Sequence, residues 1–524
     1  MNLRLVILSI PFLLVFMSGR IVAQEIVADS CSGLVFSTKL ESTGFESFCS
    51  KKPDYLLMSV AVDPESTESD LADIRQMIKN ETDILKMKTE KIKKPVKALQ
   101  IIFSHVQTSF LKHYDLDAGF SKMFKTGYYN CLTATILYSL ILDELGYRNT
   151  PKVLPGHVYL IAYGGETPYL FETTDPEHGF MQLNDAVLTS TLQSLRLFKF
   201  IQSDNIENQP VGNIFDRYYL KLNTTNLRGL VGYQYINAMV QASMKQHSLE
   251  AYQALNKAIV LTPLDELLIM KEQLLRASIA EMSLKSAERA RYVVEYYNHT
   301  KNQNKEDQVI GEFSLMINQC LFGSFPTPDS LHTIYNALVD GIQDTLVQSK
   351  LKELYYVNYT SYLLMNEETD KAFRIVYDAY RQVANSMQVK VILSKLVEFY
   401  TSTSYTDKRN FEVLDSLASE YPGIRELDYY RARRCYLTIS LASKAFDENQ
   451  IATGEKYLTM FESDAEALSQ QELVFCDPAE AYGDAASCYF RKGNMTKARR
   501  VINKGLVYSP GNWMLTAKLK QIDK

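Results

Sequence analysis

From about Leu230 to the end, apolar and small residues recur at spacings of three and four with hardly a break, which commits more than half of the chain to packed helices. At 524 residues the chain also exceeds one hydrophobic core and should divide into units of roughly 100–200 residues. Internal repetition is clearest at the end. Tyr482, Ala486 and Tyr489 precede a Gly493-Asn494 turn, and Ala498, Ile502, Gly505 and Pro510 follow it. Small residues at these places let two helices approach closely, and the proline ends the second. A similar series runs through Tyr235, Ala251, Leu255, Ala258 and Pro263, and a weaker one through Tyr356, Leu363, Ala372, Val376 and Ala379. The helical stretches between them read as degenerate copies.

The remaining sequence is of a different kind. Its first two dozen residues have the layout of a secretory signal: Arg4, an apolar run from Leu5 to Met17, Ser18-Gly19, then Val22-Ala23-Gln24. Cleavage is expected after Ala23 or Gln24. The apolar run is shorter than the roughly 20 residues of a membrane span, and no later segment is a better candidate. The mature chain is therefore expected in the periplasm or outside the cell, without a transmembrane segment. A net charge of -5, from 56 basic and 61 acidic side chains, argues against nucleic acid as the partner. Of seven cysteines, Cys31 and Cys49 are candidates for a bridge; Cys476 and Cys488 are close enough in sequence to form another, but both lie in helical patterns where a buried thiol is the commoner state. Cys320 and Cys435 carry no local signal. Neither a CxxC nor an HExxH spacing occurs, so no metal or other cofactor is expected.

Between the signal and the helical half, the pattern mixes helix and strand. Ser69 to His113 is helical, interrupted by a lysine-rich run from Lys86 to Lys97 that reads as a solvated face or loop. A helix from about Cys131 to Leu145 follows, closed by Gly146. His157–Tyr163 and Tyr169–Thr174 read as two strands of an antiparallel hairpin around Gly164-Gly165, which is α+β rather than parallel-sheet logic. Asn130 is a good N-cap and makes Cys131 the first residue of its helix. The peptide dipoles and open N–H groups at that end favour a thiolate and can hold the oxyanion formed when it attacks an acyl carbon. His157, at the start of a strand, is the candidate base. With Gly164 and Gly165 as the two turn residues, Tyr163 pairs with Glu166, and counting outward sets Glu172 opposite His157, on the same face. A longer loop would present Thr173, Thr174 or Asp175 instead; Glu172 is the first choice for the orienting carboxylate and Asp175 the reserve. His178 reads as a loop residue, and His105 and His113 lie on a helical pattern with no metal set around them.

These residues carry a family resemblance. Tyr129-Asn130-Cys131-Leu132-Thr133-Ala134-Thr135 with Leu137-Tyr138, then Leu145-Gly146-Tyr147, Pro155-Gly156-His157-Val158-Tyr159-Leu160 and Phe171-Glu172-Thr173-Thr174 resemble the transglutaminase-like superfamily. More narrowly, they resemble bacterial members in which such a domain precedes tetratricopeptide repeats, whose pattern the last repeat above follows. The resemblance implies an α+β, papain-like domain with Cys131 as nucleophile, His157 as base and Glu172 as third residue, followed by an all-α helical-repeat superhelix. Many relatives carry Asp at the third place and Trp just after the histidine. The expected organisation is a signal over 1–24, a transglutaminase-like domain over 25–185, a connector over 186–229 and a repeat domain over 230–524. The expected activity is cysteine-dependent hydrolysis of an amide or acyl transfer from it, on a protein or peptide, with a protein partner on the repeats. The alternative is a non-catalytic helical-repeat adaptor with a vestigial pocket.

Overall fold

The computed structural model describes residues 31–183 and 224–522, apart from 32, 155, 384, 403–405, 467, 469–472, 474 and 475. The expected signal over 1–24 and most of the connector over 186–229 lie outside the described residues. The chain forms two compact units that divide between Met282 and Ser283. Helices that the sequence assigns to the repeat domain from residue 230 therefore begin within the first unit.

In the first unit, helices α1 (Lys39–Cys49), α2 (Tyr55–Ala61), α3 (Glu68–Thr89) and α4 (Pro95–Phe110) lead to strand β1 (His113–Tyr114), helix α5 (Phe120–Thr126) and strand β2 (Tyr128–Tyr129). Helix α6 (Cys131–Glu144) precedes strands β3 (Asn149–Leu154), β4 (His157–Gly164), β5 (Thr167–Phe171) and β6 (Phe180–Gln182). Helices α7 (Leu227–Met244), α8 (Ser248–Leu261) and α9 (Asp265–Glu281) complete the unit. The lysine-rich run divides as its sequence suggests. Lys86 and Lys88 close α3, Lys91 and Lys93 stand in the exposed loop, and Pro95 opens α4.

Strands β3 to β6 form one antiparallel sheet in chain order, and β1 pairs with β2 in parallel. Pro151 lies inside β3, which the hairpin pattern does not reveal; it is tolerated because β3 is an edge strand. Val158, Leu160, Ala162, Tyr169 and Phe171 share one core with Leu99, Ile102 and Phe103 of α4 and with most of α6. Phe103 stacks on Tyr138 and meets Phe171 edge-on, while the Tyr138 hydroxyl donates to the Phe103 carbonyl at 2.7 Å. Helix α6 is apolar on nearly every side and is buried accordingly.

Cys31 and Cys49 form a disulfide. A buried ion pair joins α1 to α7 and α8. Lys257 Nζ of α8 donates to Glu41 Oε1 of α1 at 2.7 Å, and the Tyr235 hydroxyl of α7 donates to the same oxygen at 2.8 Å. Both charged side chains are 4% exposed. The Ser37 N–H satisfies the second carboxylate oxygen at 2.7 Å.

The second unit, among the described residues, is helical throughout: α10 (Ala287–His299), α11 (Lys305–Leu321), α12 (Pro328–Gly341), α13 (Thr345–Met365), α14 (Thr369–Gln382), α15 (Met387–Thr401), α16 (Asp407–Glu420), α17 (Asp428–Asp447), α18 (Ile451–Ala465), α19 (Ala479–Arg491), α20 (Met495–Tyr508) and α21 (Trp513–Ile522). Successive helices pack on one another as a helical-repeat region. The spacing predicted for the last repeat falls on α19 and α20, with Tyr482, Ala486, Tyr489, Ala498 and Ile502 buried between them. Gly505 lies so close to Tyr482 that an added Cβ would sit 2.7 Å from that residue's Cβ. The series starting at Tyr235 falls on α7 and α8, and that starting at Tyr356 on α13 and α14.

Removing one member of a buried ion pair strands the other, which costs about 3–5 kcal/mol, whereas neutralising both is far milder. Lys257→Met should therefore lower the unfolding free energy by about 3 kcal/mol in urea titration, and the double variant with Glu41→Gln should recover most of it.

Candidate functional site

Asn130 sets the geometry. Its side chain accepts from Thr133 N–H at 2.9 Å, and its own N–H donates to Thr133 Oγ1 at 3.0 Å, a reciprocal cap that fixes the first turn of α6. Its Nδ2 donates to the carbonyls of Leu116 and Ala118, both at 3.0 Å. One buried amide thus ties the loop that follows β1 to the helix end. Cys131 is the first residue of that helix, half-buried and not disulfide-bonded. The neighbouring Leu132, Ala134 and Thr135 are buried and hold it in place.

His157 opens β4 and is hydrogen-bonded to the Cys131 side chain. Its Nε2 lies 2.7 Å from Glu172 Oε2, which leaves Nδ1 for the sulfur. The other Glu172 oxygen accepts from the Thr174 hydroxyl at 2.6 Å and, more weakly, from the Thr174 N–H at 3.3 Å. All three residues of the set expected from the sequence therefore meet: Cys131, His157 and Glu172.

The register that brings them together differs from the expected one. The turn is centred on Gly165 and Glu166, so Gly164 pairs with Thr167 and Leu160 with Phe171. Glu172, just past the end of β5, consequently reaches His157 along a diagonal rather than from directly opposite. A slip of two residues preserves the face, and the side chain is long enough to span the difference. Asp175, the reserve carboxylate, does other work. It accepts from the N–H groups of Glu177 and His178, at 3.2 and 2.9 Å, and shapes the turn after β5. His178 is exposed in that turn. Glu172 is held by the same turn, with its N–H donating to the Gly179 carbonyl at 2.8 Å. No side chain fits at Gly179, because a Cβ would sit 2.2 Å from the Glu172 carbonyl oxygen.

Burial disfavours the imidazolium of His157, but hydrogen bonds to Cys131 and Glu172, together with their negative charge, outweigh it and raise its pKa to about 10. Burial likewise disfavours the Glu172 carboxylate, yet the His157 hydrogen bond and charge, aided by Thr174, hold its pKa below the usual value.

A fourth residue has no counterpart in the sequence reading. Tyr114, on β1, pairs with Tyr129 and meets its ring edge-on at 5.8 Å. Its hydroxyl is hydrogen-bonded to the Cys131 side chain. Burial, followed by the charges of Cys131 and Glu172, pushes its pKa up to about 12, so the phenol stays protonated and remains a donor. The signal that finds it is spatial: a two-residue strand pairs in parallel with the segment just before the cap. Among the described residues, no group of three or more His, Cys, Asp or Glu side chains is arranged to hold a metal ion. None of the described helices is long and apolar enough to cross a membrane.

No family model matches this chain, and no curated protein matches it. Among solved structures it is similar to that of Naa15/Naa10 bound to HypK-THB, at 10% identity over 93% of this chain, with a TM-score of 0.17. The chain spans 66% of the length of that one. A likeness of that degree carries no argument about this chain.

A histidine whose folded-state pKa is raised contributes stability that is complete below its unfolded value, near 6.5, and is lost as pH rises through the folded value. The melting temperature of wild type should exceed that of His157→Gln most clearly between about pH 5 and 6.5, where Glu172 is still ionised. The gap should narrow as pH approaches 10, a trend that melting curves across the range will reveal.

Proposed function

We propose that this chain is an exported, cysteine-dependent enzyme of the transglutaminase-like superfamily, with a papain-like first domain, that cleaves an amide or transfers its acyl group. The observation that carries the reading is the hydrogen-bonded series from Cys131 through His157 to Glu172, with the cysteine at the capped start of a buried helix. Cys131 sulfur attacks the amide carbon and the C–N bond breaks, giving a thioester. His157, which holds its proton across the neutral range, delivers it to the leaving amine. Water, or a second amine in the transfer reaction, then displaces the sulfur, with His157 accepting the proton. Glu172 orients and charges the imidazole throughout.

The developing oxyanion needs donors. Thr133 N–H is taken by Asn130, and the N–H groups of Cys131 and Leu132 belong to the open end of the helix. We assign the Tyr114 hydroxyl as a third donor. The helical-repeat region, read as tetratricopeptide-like, would recruit the protein or peptide substrate. Export is supported by the Cys31–Cys49 disulfide, a bond that persists in oxidising compartments.

Iodoacetamide at near-neutral pH separates an activated sulfur from an inert one. Cys131 should label faster than free cysteine, and His157→Ala should slow it by about tenfold or more. Labelling no faster than free cysteine sinks the catalytic reading and leaves a helical-repeat adaptor with a vestigial pocket. Tyr114→Phe should reduce turnover of an amide substrate by about 10²-fold while changing alkylation, which builds up no oxyanion, by less than about threefold. An equal loss in both assays would make Tyr114 a positioning residue for the sulfur.

A further inference from the structure

Outside the site already described, two more thiols face each other. Cys435 lies in the first half of α17, and Cys476 stands three residues before α19. Although about 40 residues separate them in sequence, their side chains are within hydrogen-bonding reach of one another. Cys476 Sγ also lies 3.7 Å from the carbonyl oxygen of Ala432, one helical turn before Cys435. Both sulfurs belong to one hydrophobic cluster with Ile439, Phe461 and Tyr482, and both residues are nearly inaccessible, at 0% and 4% exposure. Cys488, the partner that sequence proximity offers to Cys476, is engaged elsewhere, with its thiol 3.5 Å from Asn449 Oδ1. Cys320 is buried in α11.

Two buried thiols in contact have few uses. A metal site would require further ligands, and among the described residues none are arranged to supply them. A nucleophile would need the thiolate, but the neighbouring Cys476 and burial hold Cys435 well above the ordinary thiol range. Core packing alone needs no second sulfur at that spot. We propose that Cys435 and Cys476 are the two halves of a second disulfide, which fastens the segment after α18 to α17 in the helical-repeat region.

The bond would form by exchange with a disulfide of the cellular or refolding medium. A thiolate of one cysteine attacks the oxidant's disulfide and expels one thiolate, giving a mixed disulfide. The second cysteine then displaces the other half. Two electrons and two protons leave the cysteine pair, and the oxidant becomes two thiols. Because burial suppresses the thiolate, this exchange belongs to folding, before the cluster has closed around the sulfurs.

The test uses the full chain refolded in a glutathione redox buffer, trapped with an alkylating reagent in denaturant and digested without reduction. Cys31–Cys49 serves as the internal standard in the same digest. The expected result is a peptide pair joined through Cys435 and Cys476, with Cys320 and Cys488 alkylated, and with the pair persisting at the most reducing ratio that preserves Cys31–Cys49. The disulfide should raise the melting temperature of the oxidised chain over identically treated Cys435→Ser by about 5–10 °C, a difference that vanishes after full reduction of both. Recovery of Cys435 and Cys476 separately alkylated, at every ratio from fully oxidised glutathione downward, would overturn the proposal. So would linkage of Cys476 to Cys488. Should Cys435→Ser not fold, the peptide map of wild type decides alone.

Discussion

The amide of Asn130 is the contact on which the arrangement around Cys131 rests. Its oxygen holds the first turn of α6 and its nitrogen holds the carbonyls of Leu116 and Ala118, so one side chain fixes two segments at once. The energy of a helix cap is only about 1 kcal/mol. Its larger effect is geometric. Without it, the sulfur and the Tyr114 hydroxyl would lose their common reference, while the helix, packed on nearly every side, could not shift to compensate. The carboxylate on the opposite side of the imidazole is set just as firmly, by a turn that closes through Gly179 and leaves no space for a side chain.

How much of this was legible depended on the range of each interaction. The helix starting at Cys131 was readable because its signals are local: a capping residue, an apolar run and a terminating glycine within 17 positions. The meeting of Cys131 with His157 and Glu172 was also anticipated, though from a hairpin drawn with the wrong turn. Gly164-Gly165 looks like a two-residue turn, yet Gly164 remains in β4 and Glu166 takes the second turn place. Tyr114 escaped because β1 is too short to show a period, and parallel pairing with a segment 15 residues away leaves no trace in local composition. The same holds for Cys435 and Cys476, which only the packing of separate helices brings together.

The repeat spacing was clearest where small residues are indispensable, as between α19 and α20, and faint where larger side chains fill the same places. It set the start of the repeat domain at 230, whereas the first compact unit runs on to Met282. Helices α7 and α8 carry the spacing of a repeat but are bound to α1 through Glu41, Lys257 and Tyr235, so they belong with the sheet. A buried charge with its partner on a distant helix is invisible to periodicity, since a lysine on a helical pattern reads as a surface residue. It nevertheless decides which helices stand or fall together.

The diagonal approach of Glu172 to His157 has an implication for how the hairpin can vary. Strand residues alternate sides, so a slip in the pairing of β4 with β5 by an even number of residues keeps the carboxylate on the imidazole's side of the sheet, whereas an odd slip turns it away. Parity, rather than loop length itself, is what this hairpin must conserve.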